Sequence, residues 1–224
     1  MQGMKAISEA LLYGILDLGY VNVPRLEHVT ERLLEGGVDL LQLRSKGFDE
    51  EEIEGFARRI IPLTEAAGVP LILNDHPELV PSIGAQGAHV GQDDFTVSDA
   101  RWRAGRALAG EVALPSIGKS THSVAQALEA VEQGADYIGF GPLFSTPTKP
   151  GRPAIGMADI AEVHRLVPLP IFCIGGIKRE NLEQVLDAGA RRVVVVSGIL
   201  QAADITGYCR DVKAELQARR PPSV

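Results

Sequence analysis

Eight short, nearly continuous apolar runs, each followed by a stretch with helical periodicity, constrain this 224-residue chain more than any other feature. The runs are LLYGILDL from Leu11, DLLQLR from Asp39, VPLILND from Val69, GAHVGQ from Gly87, LPSIGKS from Leu114, YIGFGPLF from Tyr137, PIFCIGGI from Pro170 and RVVVVSGI from Arg192. A strand wetted on one face alternates apolar with polar residues. A run without that alternation is what a parallel strand covered on both faces needs. Gly36, Gly68, Gly134 and Gly189 stand where left-handed helix caps are expected. Only PELVPSIGA, after the third run, is too short and proline-bounded for a full helix.

Eight strand–helix units in a chain of this length predict an α/β protein: a single (β/α)8 TIM barrel, residues 1–224 forming one domain. The competing architecture is a doubly wound open sheet, which places its site at one or two switch points rather than at most strand ends. The polar residues decide between them. Gln42, Arg44 and Lys46 end the second run, Asn74 and Asp75 the third, Gln92, Asp93 and Asp94 the fourth, and Lys119 and Ser120 the fifth. Thr146, Thr148 and Lys149 follow the sixth, Gly175 and Gly176 end the seventh, and Val196 and Ser197 the eighth. Seven successive strand ends carrying polar or glycine residues are the distribution of a barrel whose site is built from its βα loops.

These residue types point to phosphate chemistry. With a period of two, Gln42, Arg44 and Lys46 share one side of their strand, and a guanidinium fork beside a mobile ammonium suits a highly charged phosphate. Asp75 and Asp94 end adjacent strands, where two carboxylates suit Mg2+ completed by water and substrate phosphate oxygens. Spacing alone leaves Asp93 as an alternative, and an N-cap ahead of VSDARWRAGRAL as the plainer reading of Asp94. His76 and His89 would suit zinc, but oxygen ligands beside phosphate-binding residues favour magnesium, and both histidines are read as structural. The glycines and backbone N–H groups of IGGI and VSGI, ahead of short helices after the last two strands, fit a second phosphate. GKST from Gly118 ends like a P-loop, but Ala113 stands where the first glycine is required. Two anionic groups are thus expected, one at Arg44, Lys46, Ser120 and the metal, the other at Gly176 and Ser197. The segment GPLFSTPTKPGRPAIG, Gly141 to Gly156, lies between the clusters in chain order, and its Thr146, Thr148 and Lys149 are expected to close over both.

A net charge of −7 argues against nucleic acid and anionic membrane as partners. Cys173 in an apolar run and Cys209 in a helical stretch imply no disulfide framework. The N-terminus lacks the basic start, long apolar core and small-residue cleavage site of a signal peptide. No apolar run approaches the roughly 18 residues of a membrane span. A cytoplasmic protein acting on small phosphorylated molecules is expected, and homo-oligomerisation is compatible with the sequence.

QLRSK, NDH, GAHVGQDD, STH, DYIGFGPLFSTPTKPG, IGGI and VVSGI occur in order and at matching strand ends. Over nearly its whole length the chain therefore resembles the thiamine phosphate synthases, which share a superfamily with thiazole tautomerases. The resemblance implies a transferase that condenses 4-amino-2-methyl-5-hydroxymethylpyrimidine diphosphate with 4-methyl-5-(2-hydroxyethyl)thiazole phosphate. The products would be thiamine phosphate and pyrophosphate, formed by a dissociative substitution with Mg2+ as cofactor. Residue by residue, it implies that Gln42, Arg44, Lys46, Asn74, Ser120 and Lys149 contact the pyrimidine diphosphate, and that Asp75 and Asp94 bind the metal. Thr146, Thr148, Gly176, Val196 and Ser197 would hold the thiazole phosphate, and Arg44, Lys46, Ser120 and Lys149 would form the catalytic set.

One departure stands out: relatives commonly carry a small apolar residue where this chain has Lys119. Some tautomerase relatives have a basic residue there, which makes a thiazole tautomerase the alternative. Those relatives, however, use a histidine where this chain has Pro142 and tend to lose the carboxylates that Asp75 and Asp94 retain. A non-catalytic regulator that binds phosphorylated ligands is the remaining alternative. By strand alternation Lys119 faces away from Ser120, toward the helix layer, where an ion pair with an acidic helix residue is expected.

Overall fold

Every apolar run forms one strand: β1 Leu12–Asp17, β2 Leu40–Arg44, β3 Leu71–Asn74, β4 Gly87–Val90, β5 Ser116–Thr121, β6 Tyr137–Phe140, β7 Ile171–Cys173 and β8 Val193–Val195. The structure is a computed structural model that describes residues 3–105, 114–145 and 153–219. The strands are all parallel and close in sequence order, β8 pairing back onto β1 through Tyr13 and Val194. Between them run α1 Leu26–Glu35, α2 Glu50–Ala66, α3 Val80–Ile83, α4 Val97–Gly105, α5 Val124–Glu132, α6 Ile160–Leu166 and α7 Arg179–Asp187; α8 Ser197–Leu200 and α9 Ile205–Ala218 follow β8. The expected (β/α)8 barrel is therefore the observed fold. Among the described residues no helix is long and apolar enough to cross a membrane.

Two separate apolar clusters show why the strands lack polar alternation. Leu12, Leu41, Leu43, Leu71, Leu73, Ile117, Ile138, Val193 and Val195 belong to the larger cluster, with helix residues such as Val29, Leu33, Ile53 and Ile60. The alternate residues Tyr13, Ile15, Leu40, Ile72, Tyr137, Phe172 and Val194 fill the barrel. Successive side chains point to opposite faces, and here both faces are dry. The Tyr13, Tyr137 and Phe172 rings meet edge to face, with centroids 5.2–6.0 Å apart.

Space for those rings comes from Gly118, at which a Cβ would lie 2.1 Å from Tyr137 Cζ and 2.5 Å from His89 Nδ1. Gly118→Ala is expected to overpack the barrel and destabilise it by about 1–3 kcal/mol. Thermal unfolding checks this, and an unchanged midpoint would show that the barrel absorbs the methyl.

The lower rim of the barrel is tied together by Asp39, which is almost fully buried. Its carboxylate accepts from the backbone N–H groups of Leu11 (2.9 Å) and Leu12 (3.1 Å) and pairs with Lys5 and, from α9, Lys213. One acidic side chain thus joins the chain entering β1, the start of β2 and the last helix.

The helix caps fall largely where expected, with one correction. Gly68, Gly134 and Gly189 take positive φ, but Gly36 is right-handed at φ −74° and the left-handed turn passes to Gly37 at φ 85°. Gly36 is a matter of space: a Cβ there would lie 2.4 Å from the Cβ of Cys209 on α9.

Candidate active site

The carboxyl ends of the strands open into one pocket. Gln42 and Arg44 reach it from β2, Asn74 from β3, Ser120 from β5, Gly176 from the loop after β7, and Val196 and Ser197 from the end of β8. Seven of the site residues expected from the sequence are thereby gathered in one place. Lys46 and Asp75 lie in an adjoining recess, with Asn74 lining both. Asp94 stands exposed on the loop between β4 and α4. Thr146, Thr148 and Lys149 lie outside the described residues.

Each side chain is held by a partner from a neighbouring strand. Gln42 Nε2 donates to the Tyr13 hydroxyl at 2.6 Å, and that hydroxyl lies 3.1 Å from the hydroxyl of Tyr137. Burial pushes both phenols well above the usual tyrosine value, so they stay neutral and serve as hydrogen-bonding groups rather than bases. Arg44 donates to Asp17 at 2.5 Å, and Asp17 in turn accepts from the Gly19 N–H at 2.9 Å. With the Asp17 side chain only 2% exposed, the pair sets the guanidinium against the pocket wall. Ser120 Oγ lies 3.0 Å from His89 Nε2, within the barrel and beside the Tyr137 ring.

Asp75 has φ 62°, a left-handed conformation uncommon for a residue with a Cβ and one that collects at functional sites. The turn is stabilised by its own N–H, which donates to the His89 carbonyl at 2.9 Å. It brings the carboxylate to 2.7 Å from Asn74 Nδ2 and 3.9 Å from Lys46 Nζ. Lys46 itself is 59% exposed, a charge free to move over the recess.

Asp94 accepts from the Gly91 N–H at 2.9 Å. The plainer reading of Asp94 as the cap of α4 does not hold, since Thr96 Oγ1 accepts from the Asp99 N–H at 3.1 Å and takes that role. Gln92 turns back to donate to the Ser120 carbonyl at 2.5 Å. Lys119 does face away from Ser120, as alternation requires, but the expected ion pair with an acidic helix residue is replaced by two backbone carbonyls, Gly91 O at 2.7 Å and Phe95 O at 2.8 Å. Burial pulls its ammonium below the usual lysine value, opposed by the charges of Asp94, Glu129, Asp93 and Asp75.

Asp75 follows β3, and Asp93 and Asp94 follow β4, its neighbour in the barrel. Oxygen donors beside Arg44 and Ser120 fit Mg2+ better than a softer metal. Glu50, His76 and Glu78 form a further group whose ligand atoms lie within 4.8 Å of one another. There the hydrogen bond to Glu78 raises the His76 value and makes the ring a partner of that carboxylate.

On the opposite side Gly175 and Gly176 take φ 98° and 67°. A Cβ at Gly175 would lie 2.3 Å from Pro142 Cβ, so the glycine pair lets the loop after β7 pass directly under the segment after β6. Asn181, at the start of α7, donates to the Gly176 carbonyl at 2.9 Å and fixes that turn.

The residues not anticipated are Asp17, Tyr13 and His89 as the props of Arg44, Gln42 and Ser120. Asp17 carried a visible signal, an acid closing the apolar run of β1 in the same position as the polar residues of the other strand ends.

Comparison with known proteins gives the family. The chain matches the family described as thiamine monophosphate synthase over residues 12–199. It is 45% identical over 188 residues to the thiamine-phosphate synthase of Thermus thermophilus, covering 84% of this chain and 87% of that one. To the enzyme of the same name from Halalkalibacterium halodurans it is 40% identical over 195 residues, 87% and 89% of the two chains. Among solved structures, thiamine phosphate pyrophosphorylase from Pyrococcus furiosus superposes with a TM-score of 0.82 at 25% identity, covering 95% of this chain and 98% of that one.

Proposed function

The chain belongs to the thiamine monophosphate synthase family, and from that premise we propose how its own residues form thiamine phosphate. The observation that carries the reading is the single pocket in which Gln42, Arg44, Asn74 and Ser120 meet Gly176, Val196 and Ser197. The first set suits the pyrimidine diphosphate and the second the thiazole phosphate.

The C–O bond of the pyrimidine diphosphate breaks, and its electron pair leaves with pyrophosphate. The electron-rich aminopyrimidine carries the resulting methylene cation until the thiazole nitrogen donates its lone pair to form the C–N bond. No proton need move, and the deeply buried tyrosines stay neutral. Negative charge grows on the leaving oxygen, so groups already aimed at it lower the barrier without reorganising. Arg44, fixed by Asp17, is such a group; Lys46 and Ser120 act beside it. Gln42, oriented by Tyr13, and Asn74 position the pyrimidine. Lys149 joins the catalytic set, and Thr146 and Thr148 the thiazole phosphate contacts, on their sequence motif alone. Asp75 and Asp94 would hold Mg2+, which when bound supplies positive charge to the diphosphate. The partners on this reading are the two small phosphorylated substrates, and the setting is the cytoplasm.

Pyrophosphate release from the two substrates, with magnesium and after its removal by chelation, tests the proposal. Release should require both substrates and the metal. No release from the pair at any magnesium concentration would overturn it.

A further inference from the structure

Lys119 is 4% exposed, with Val90 and Ile138 beside it in the sheet. An ammonium in such a place loses hydration, a cost that a methionine of similar length would avoid. What the ammonium does there is shown by its partners. It donates to the carbonyls of Gly91 and Phe95, which bracket the turn Gln92–Asp93–Asp94. Inside that bracket the Gly91 N–H donates to Asp94 Oδ2, and Gln92 Nε2 donates to the carbonyl of Ser120, the residue next to Lys119. One side chain on β5 thus clamps both ends of the segment that carries Asp94 and ties it to the strand that carries Ser120. An apolar side chain fills volume but anchors no carbonyl.

We propose that Lys119 is a positioning residue for the known reaction, one that holds the Gly91–Phe95 turn so that the Asp94 carboxylate and Ser120 keep a fixed relation around the metal and diphosphate. The inference rests on the reading of Asp94 as a metal ligand. Outer partners that hold ligands in place are worth about 10–100-fold in metal affinity, whereas a purely structural lysine alters stability and leaves metal affinity alone.

Lys119→Met removes both donors at similar volume, and Lys119→Gln keeps one donor, so the test survives if the methionine variant fails to fold. Three quantities are read: the Mg2+ concentration for half-maximal pyrophosphate release, Mn2+ binding followed by electron paramagnetic resonance with pyrophosphate present, and hydrogen exchange at Gly91 through Asp94. The methionine variant should need about tenfold more Mg2+ and bind Mn2+ about tenfold more weakly, with the glutamine variant between it and the parent. KM for the thiazole phosphate should stay within about twofold, since Gly176 and Ser197 follow other strands, β7 and β8. Exchange at Gly91 should quicken while that of β6 does not change. Folded variants with the parent's magnesium dependence and Mn2+ affinity would overturn the role of Lys119. A parent enzyme that needs no divalent cation would overturn the reading of Asp94, and this inference with it.

Discussion

Asp75→Asn and Asp94→Asn are each expected to lower turnover by about 10²-fold or more, the usual cost of losing a group that stabilises developing charge, with the fold intact. The structure makes both substitutions conservative in everything but charge. Asparagine occupies the left-handed region more readily than most residues, so the φ of 62° at position 75 is kept without added strain. Its amide oxygen can still accept from Asn74 Nδ2 as the carboxylate does at 2.7 Å. At position 94 the amide oxygen can likewise take the Gly91 N–H that Asp94 accepts at 2.9 Å. What disappears is one negative charge at each place, and with it the attraction for a divalent cation. Pyrophosphate release measured across a magnesium titration should therefore show both a lower plateau and a rightward shift. Asp93→Asn serves as the comparison, because Asp93 is the sequence neighbour that spacing alone could not set aside. Near-normal turnover of the Asp75 and Asp94 variants at limiting magnesium would sink the assignment, and a larger loss for Asp93→Asn would move the ligand by one residue.

The eight strands were legible because burial on both faces leaves the same mark wherever it occurs, an apolar run with no polar alternation. The pocket was legible because only the carboxyl end of each strand meets solvent and ligand, so polar residues collect there: Gln42 and Arg44, Asn74, Ser120, Gly176 and Ser197. The props of those residues were hidden for a different reason. Asp17 finds Arg44 across 27 residues, Tyr13 finds Gln42 across 29, and His89 finds Ser120 across 31. Each pairing depends on which strands neighbour one another and in what register, and one sequence carries residue types without register. Lys119 shows a second limit. Its inward or outward sense followed from strand alternation, but its partners are carbonyls of Gly91 and Phe95, and every residue has a carbonyl. Charge pattern suggested a carboxylate where the backbone supplied the acceptors.

At the other end of the barrel, Asp39→Asn should cost about 3 kcal/mol, the scale of breaking a buried charged cluster by removing one partner. For a chain of this size that lowers the thermal midpoint by about 6–12 °C. The carboxylate offers acceptors on two sides at once, toward the N–H groups of Leu11 and Leu12 and toward Lys5 and Lys213. An amide of the same shape has one oxygen for these tasks, and its NH2 group must face either two backbone donors or two ammonium groups. The loss is smaller than for a wholly buried pair, because the Lys5 side chain is 40% exposed and can turn to water. Lys5→Met should therefore cost clearly less than Asp39→Asn. The pH dependence gives an independent check. Burial opposes ionisation of Asp39, but hydrogen bonds from Lys213, Lys5 and the Leu11 and Leu12 amides outweigh it, so the carboxyl titrates below its usual value in the folded protein. A group whose folded pKa is lowered contributes fully above its unfolded value, about 3.9, and loses that contribution as pH falls through the lower folded value. The gap in midpoint between parent and Asp39→Asn should thus be constant from neutral pH down to about 5 and narrow in more acid solution. The active-site variants should leave the midpoint where it is, since Asp75 and Asp94 stand at the opposite ends of the strands. An Asp39→Asn protein that melts with the parent at neutral pH would show that the rim is held by packing alone, and a gap that persists unchanged into strong acid would mean that the loss comes from shape rather than charge.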